Sequence, residues 1–111
     1  MAGSTVRMTF RWHVPLARSR SVTQALHSLM VAARSEPGFV SSSIAADIAA
    51  RAGVQFTEEW ASEDHLRRIL ASDHFAQLAA LLDDATEAPS VRFTLPAGDR
   101  GIDYLDEVRD N

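Results

Sequence analysis

From Val6 to Val14 the chain alternates without a break. Val6, Met8, Phe10, Trp12 and Val14 are apolar, and Arg7, Thr9, Arg11 and His13 between them are polar. A period of two with one apolar side predicts a half-buried strand, and Pro15, with no N–H to donate, ends it. Val22, Ala25, Leu26, Leu29, Met30 and Ala33 then recur at spacings of three and four, one stripe of a helix. Ser19 or Ser21 is its expected N-cap, and Pro37-Gly38 its stop. Phe39 to about Asp47 is apolar but rich in serine and alanine, a weaker strand suited to an edge, with a turn expected over Ala49–Gly53. Val54, Phe56, Glu58 and Trp60 alternate with Gln55, Thr57 and Glu59 in a third strand. Ser62 caps a second helix whose first turn holds Glu63 and Asp64, where the helix dipole favours acids. Leu66, Ile69 and Leu70 form its stripe. Ser72-Asp73 predicts a kink and a second cap, and Phe75, Leu78 and Leu82 resume the apolar face. Asp83–Pro89 reads as a loop and Ser90–Leu95 as a fourth strand, with Val91, Phe93 and Leu95 set against Arg92 and Thr94. Pro96–Gly101 is expected to be a second loop, and the tail from Ile102 to Val108 is apolar enough to dock on the rest.

The order βαββαβ predicts an α+β, ferredoxin-like domain: a four-stranded antiparallel sheet with two helices on one face. At 111 residues one domain is expected, with a core over residues 6–97 and a C-terminal tail over 98–111. The opposite sheet face carries Arg7, Thr9, Arg11, Gln55, Thr57, Glu59, Arg92 and Thr94. Left to solvent that face needs no explanation; against a second copy it has Arg and Glu to exchange.

Composition narrows the chemistry. There is no cysteine, which excludes disulfides, thiolate metal sites and cysteine nucleophiles. Eleven Arg against fifteen Asp and Glu give a net charge of −4, so neither nucleic acid nor an anionic membrane is an expected partner. The charge is uneven. Residues 1–50 hold five Arg and two acids (+3), and residues 51–111 hold six Arg and thirteen acids (−7). Every basic residue is arginine and alanine is abundant, as in GC-rich bacterial coding. The start lacks the apolar stretch of a signal peptide, so a cytoplasmic location is expected. The four histidines have no metal-ligand spacing such as H-E-x-x-H, and no glycine-rich nucleotide loop is present. Neither a metal nor a bound nucleotide cofactor is expected.

Several short motifs fall in a suggestive order: Pro37-Gly38-Phe39 at the second strand, Glu58-Glu59-Trp60 closing the third, Trp60-Ala61-Ser62-Glu63 leading into the second helix, and Ser72-Asp73-His74-Phe75 at its kink. In that order and spacing, over roughly residues 6–97, the chain resembles the antibiotic biosynthesis monooxygenase family of small dimeric α+β barrels. The resemblance implies a homodimer whose two sheets pack together with helices outside, and a pocket between sheet and helices in each subunit. It also implies oxidation of anthrones, quinols or related polycyclic phenols with O2 and no flavin or metal. One branch of the family instead binds and degrades haem. Its axial histidine stands one turn beyond the Phe of the kink motif, where this chain has Ala79. Two other family features are absent: the first strand has no asparagine, and Ile69 stands where many relatives carry a histidine.

Three residues are candidates for chemistry. Trp60 matches the family's indole at the end of the third strand, either donating to a substrate oxygen or filling the core. Glu58 shares the apolar side with Phe56 and Trp60. A desolvated carboxylate there suits a base near neutrality, unless a local bulge or an arginine satisfies it. His74 is placed to act as base or donor toward a phenolic substrate, or else to cap the restarted helix or lie on the surface. Phe10, Trp12, Met30, Phe39, Phe56 and Phe75 are core by default and candidates for lining an aromatic pocket. His13, His27 and His65 suggest no chemistry, and Arg92 fits a surface or interface ion pair. The expected function is cofactor-independent oxygenation of an electron-rich aromatic. The alternative is a dimeric module that binds a small aromatic ligand without chemistry.

Overall fold

The computed structural model describes residues 5–47, 53–83 and 85–109. Strand β1 (Val6–His13) obeys its alternation: Val6, Met8, Phe10 and Trp12 are all buried. Helix α1 (Leu16–Ala33) buries Val22, Leu26, Leu29 and Ala33. Its N-cap is Pro15, whose fixed φ suits a helix start. Ser19 and Ser21 are therefore not caps. They lie inside the first turns, and each hydroxyl donates to the carbonyl three residues back, on Leu16 and Arg18 at 3.0 Å.

Strands β2 (Phe39–Asp47) and β3 (Gly53–Trp60) follow, then helices α2 (Glu63–Leu70) and α3 (Asp73–Leu82), strands β4 (Ser90–Leu95) and β5 (Gly98–Arg100), and helix α4 (Ile102–Arg109). The turn expected between β2 and β3 lies outside the described residues, apart from Gly53, which begins β3. All strand pairs are antiparallel, in the order β2-β3-β1-β4-β5, so β2 is an edge.

The sheet thus has five strands rather than four, and the described residues form four helices rather than two. Gly98 at φ +128 turns the chain back after β4, so Gly98–Arg100 pairs with Phe93–Leu95 where a loop was expected. Three residues without apolar alternation carry no strand signal. The kink at Ser72-Asp73 is a full break: Ala71 caps one helix and Ser72 the next. The tail docks as α4, burying Tyr104 and Val108. Tyr104 packs on Phe93 with ring centroids 4.9 Å apart and donates to Glu63 at 2.8 Å. Burial and that carboxylate push its phenol up to about 12, so it remains a donor across the neutral range.

One irregularity matters for the interior. The β2–β3 register shifts between Phe39 and Ser41, a bulge that places Val40 outward. Phe39 is thereby set against Trp60, while Ser42 and Ile44, of the opposite parity, face Glu58 and Phe56. No helix among the described residues is long and apolar enough to cross a membrane.

Gly38, entering β2, has φ +83, and a Cβ there would overlap the His65 ring. That ring is held by Ser62, whose hydroxyl lies 2.7 Å from Nδ1 and also accepts the His65 backbone N–H at 3.3 Å. Gly38→Ala is expected to destabilise the fold by about 2 kcal/mol through backbone strain and overlap together. Adding His65→Ala removes the overlap and recovers only part of the loss. Urea unfolding of the two variants checks this, and an unchanged midpoint for Gly38→Ala would show that the turn tolerates a side chain.

Candidate functional site

Alternation carries Glu58 and Trp60 to the inner face of β3, and both have no solvent exposure. Met8 flanks Glu58 from β1 and Ser42 from β2. A carboxylate among such neighbours is costly unless it is hydrogen-bonded. Its partner comes from the helix break. Because α3 restarts at Asp73, His74 lies in its first turn, buried over β3, and His74 Nε2 is 2.7 Å from Glu58 Oε2. With its proton on Nε2 the imidazole donates to the carboxylate.

One oxygen of Glu58 is thus engaged by a histidine rather than an arginine, and His74 neither caps α3 nor lies on the surface. The hydrogen bond that His74 donates to Glu58 raises the His74 pKa above its ordinary value of 6.5. Burial opposes the shift, and the charges of Glu58 and Glu36 add to it.

Three buried polar atoms lack a hydrogen-bond partner among the described residues: Glu58 Oε1, Trp60 Nε1 and Trp12 Nε1. Two of them belong to residues two apart on one strand face. The Trp60 ring meets His74 edge-on at 6.5 Å and Phe39 at 5.7 Å. Glu58, Trp60 and His74 therefore form one cluster that contains a free carboxylate oxygen and a free indole N–H. Buried groups of this kind are uncommon enough to call for an explanation.

The residues expected to line an aromatic pocket divide. Phe10, Trp12, Phe56 and Phe75 are fully buried, and Met30 and Phe39 are partly buried against that core. Phe10 and Phe75 pack at 6.0 Å. A groove of about 370 Å³ lies between α1 and α3, lined by Ala25, Ser28, Leu29, Gln77, Ala80 and Leu81. Its α3 side begins three residues beyond His74. Sequence reasoning did not single out this groove, whose small and mixed residues carry no motif. Ala79, where the haem branch has its histidine, is a half-buried residue packed against the core. No cluster of three or more His, Cys, Asp or Glu among the described residues could hold a metal ion.

The sequence profile of the antibiotic biosynthesis monooxygenase family matches residues 5–81. No curated protein sequence matches the chain. Among solved structures, a conserved protein of Methanosarcina mazei Go1 superposes with TM-score 0.74 at 17% identity, over 83% of this chain and 92% of its own. A Caulobacter crescentus CB15 protein, provisionally named an antibiotic biosynthesis monooxygenase, gives 0.72 at 20% identity over 81% and 87%. The Mycobacterium tuberculosis protein Rv0793 gives 0.72 at 18% identity over 84% and 95%. At these identities the likeness is one of fold.

The Glu58–His74 contact makes a signed prediction. Below about pH 6.5 the imidazole is protonated in folded and unfolded chains alike, and the contact's stabilisation is complete. It fades as pH rises through the raised folded value. Glu58→Gln should therefore lower the His74 titration midpoint, read by NMR from its ring protons. The variant's stability deficit, about 3 kcal/mol near pH 6, should shrink toward pH 9. An unmoved His74 midpoint would mean that the two groups are not coupled.

Proposed function

The chain belongs to the antibiotic biosynthesis monooxygenase family, and on that premise we propose that it oxygenates an electron-rich aromatic (a quinol, anthrone or polyketide-like phenol) with O2 and no flavin, haem or metal. The observation that carries this is the presence of two buried, unpartnered polar atoms, Glu58 Oε1 and Trp60 Nε1, two residues apart on one strand face. Proton abstraction from an acidic C–H or phenol needs an acceptor near the proton and a donor near the oxygen that gains charge. Glu58 Oε1 supplies the first and Trp60 Nε1 the second. His74, bound to the other carboxylate oxygen, fixes its orientation.

An anthrone is oxidised stepwise. Glu58 takes one proton from the ring CH2, leaving an anion whose oxygen accepts from Trp60. The anion gives one electron to O2, and the resulting radicals combine through a C–O bond to a peroxide. The peroxide anion takes back the proton held by Glu58, and the hydroperoxide then loses water as its remaining C–H proton leaves and the O–O bond breaks, giving the quinone carbonyl. One substrate and one O2 become one quinone and one water. The protein's share is to exclude water and hold the anion beside O2.

The groove between α1 and α3 is the proposed approach for substrate, and its volume falls within the range of small-molecule sites. Phe10, Trp12, Met30, Phe39, Phe56 and Phe75 form the proposed aromatic wall. We further propose a homodimer paired through the polar sheet faces, as the family's dimeric barrel implies. The lining of the groove between α1 and α3 includes none of Glu58, Trp60 and His74, which favours a second assignment, a dimeric module that holds a small aromatic ligand without chemistry.

Oxygen uptake with a panel of quinols and anthrones, in chelator and without flavin, separates the two. One O2 per substrate is expected from the wild type. Trp60→Phe keeps most of the packing and removes the ring's only donor, and Glu58→Gln removes the base; each should slow turnover by about 100-fold or more. Ligand binding without uptake would leave the binding module, and full activity in both variants would make these residues structural.

A further inference from the structure

The chain has no cysteine and three methionines, Met1, Met8 and Met30, so its thioethers are its softest acceptors for an oxygen atom. Met8 belongs to the interior. Strand alternation turns it inward with Val6, Phe10 and Trp12, and it has no solvent exposure. In the antiparallel register it lies directly opposite Glu58 on β3 and Phe93 on β4. Residues directly opposite on one sheet face have Cβ atoms about 5 Å apart. The Met8 and Glu58 side chains therefore rise side by side from neighbouring strands, both fully buried.

Neither the Glu58–His74 hydrogen bond nor the proposed oxygenation employs that sulfur. A substrate carbon whose proton goes to Glu58 Oε1 must come within hydrogen-bond range of that oxygen. The hydroperoxide later formed on the same carbon therefore stands beside the Met8 side chain, whose flexible, unbranched stem adapts to an irregular neighbour. Thioethers take an oxygen atom from peroxides and become sulfoxides. Burial shields Met8 from peroxide in bulk water, so the oxidant that meets it is one made inside the site.

We propose that Met8 is a modification site: its sulfur intercepts the organic hydroperoxide formed at the Glu58 cluster and becomes methionine sulfoxide, which ends the activity of that chain. The inference rests on the proposed oxygenation, because the oxidant is that reaction's own intermediate. The sulfur lone pair attacks the terminal peroxide oxygen. An S–O bond forms as the O–O bond breaks, and the hydroxyl proton passes to the departing alkoxide. Sulfur is oxidised by two electrons and the peroxide reduced by two, so the substrate leaves as an alcohol in place of the quinone, and no water is lost. The sulfoxide then sets a polar group directly opposite Glu58, in a core where an unpaired acceptor is costly. Met8 thereby limits how many substrates one chain oxidises.

Peptide mapping by mass spectrometry tests this on the full chain, turning over an anthrone in air with catalase present to remove free hydrogen peroxide. Met8 should gain one oxygen atom and exceed Met30, which is only partly buried, by about tenfold or more. Hydrogen peroxide without anthrone should reverse the order, because Met30 is the more accessible of the two. Anthrone without oxygen should modify neither. Met8→Leu keeps the apolar bulk without the sulfur, and its rate should decay several-fold more slowly over successive turnovers. Oxygen uptake that leaves Met8 unmodified, equal modification of Met8 and Met30 during turnover, or equal decay in Met8→Leu would overturn the inference and leave the oxygenation standing. Absence of oxygen uptake would overturn the oxygenation, and the inference with it.

Discussion

A carboxylate with no solvent exposure must either find a partner or lose its charge, and the placement of Glu58 makes that demand on everything around it. Met8 and Ser42 flank Glu58 on the neighbouring strands, and the partner arrives from above the sheet. His74 answers at 2.7 Å. For it to do so, the helical segment after β3 has to stop and start again in a new direction. The break between Leu70 and Asp73 is the part of the fold that brings an imidazole down onto β3. Ser72 helps to close the break by donating to the Ile69 carbonyl at 2.6 Å.

The same interaction leaves something over. One carboxylate oxygen is consumed by His74 and the other is not, and the indole N–H two residues along the strand is also unused. A purely structural ion pair would gain from satisfying those atoms, since each buried unpaired polar group costs free energy. Two such groups on one strand face, beside a coupled histidine and within an aromatic surround, are what a site for a weakly acidic aromatic requires. Around this cluster the packing is conventional. The tail helix α4 seals the far side through Tyr104 on Phe93, and Arg109 lies over the Phe75 ring at 5.5 Å.

Much of this was legible before any coordinates. Period-two alternation placed Glu58 and Trp60 inward because a strand has only two faces, and the Ser72-Asp73 pair marked the restart that carries His74. What alternation cannot give is which group meets which across elements: the sequence offers a bulge or an arginine to satisfy Glu58, and the partner is His74. Strand β5 was hidden because three residues are too few to show a period. The bulge at Val40 was hidden because serine and alanine in β2 leave the register without a strong apolar pattern. Tyr104 escaped notice in a tail whose helix depends on docking against α2 and β4 rather than on its own sequence.

The central claim is that the Glu58 cluster takes a proton from an aromatic substrate before oxygen takes part. The most direct test leaves oxygen out. Under anaerobic conditions an anthrone is titrated into the protein near pH 7 and its absorption spectrum recorded. The account predicts that the long-wavelength band of the anthrone anion appears in proportion to protein and saturates at one per chain. A bound ligand whose spectrum stays that of the neutral anthrone would contradict it.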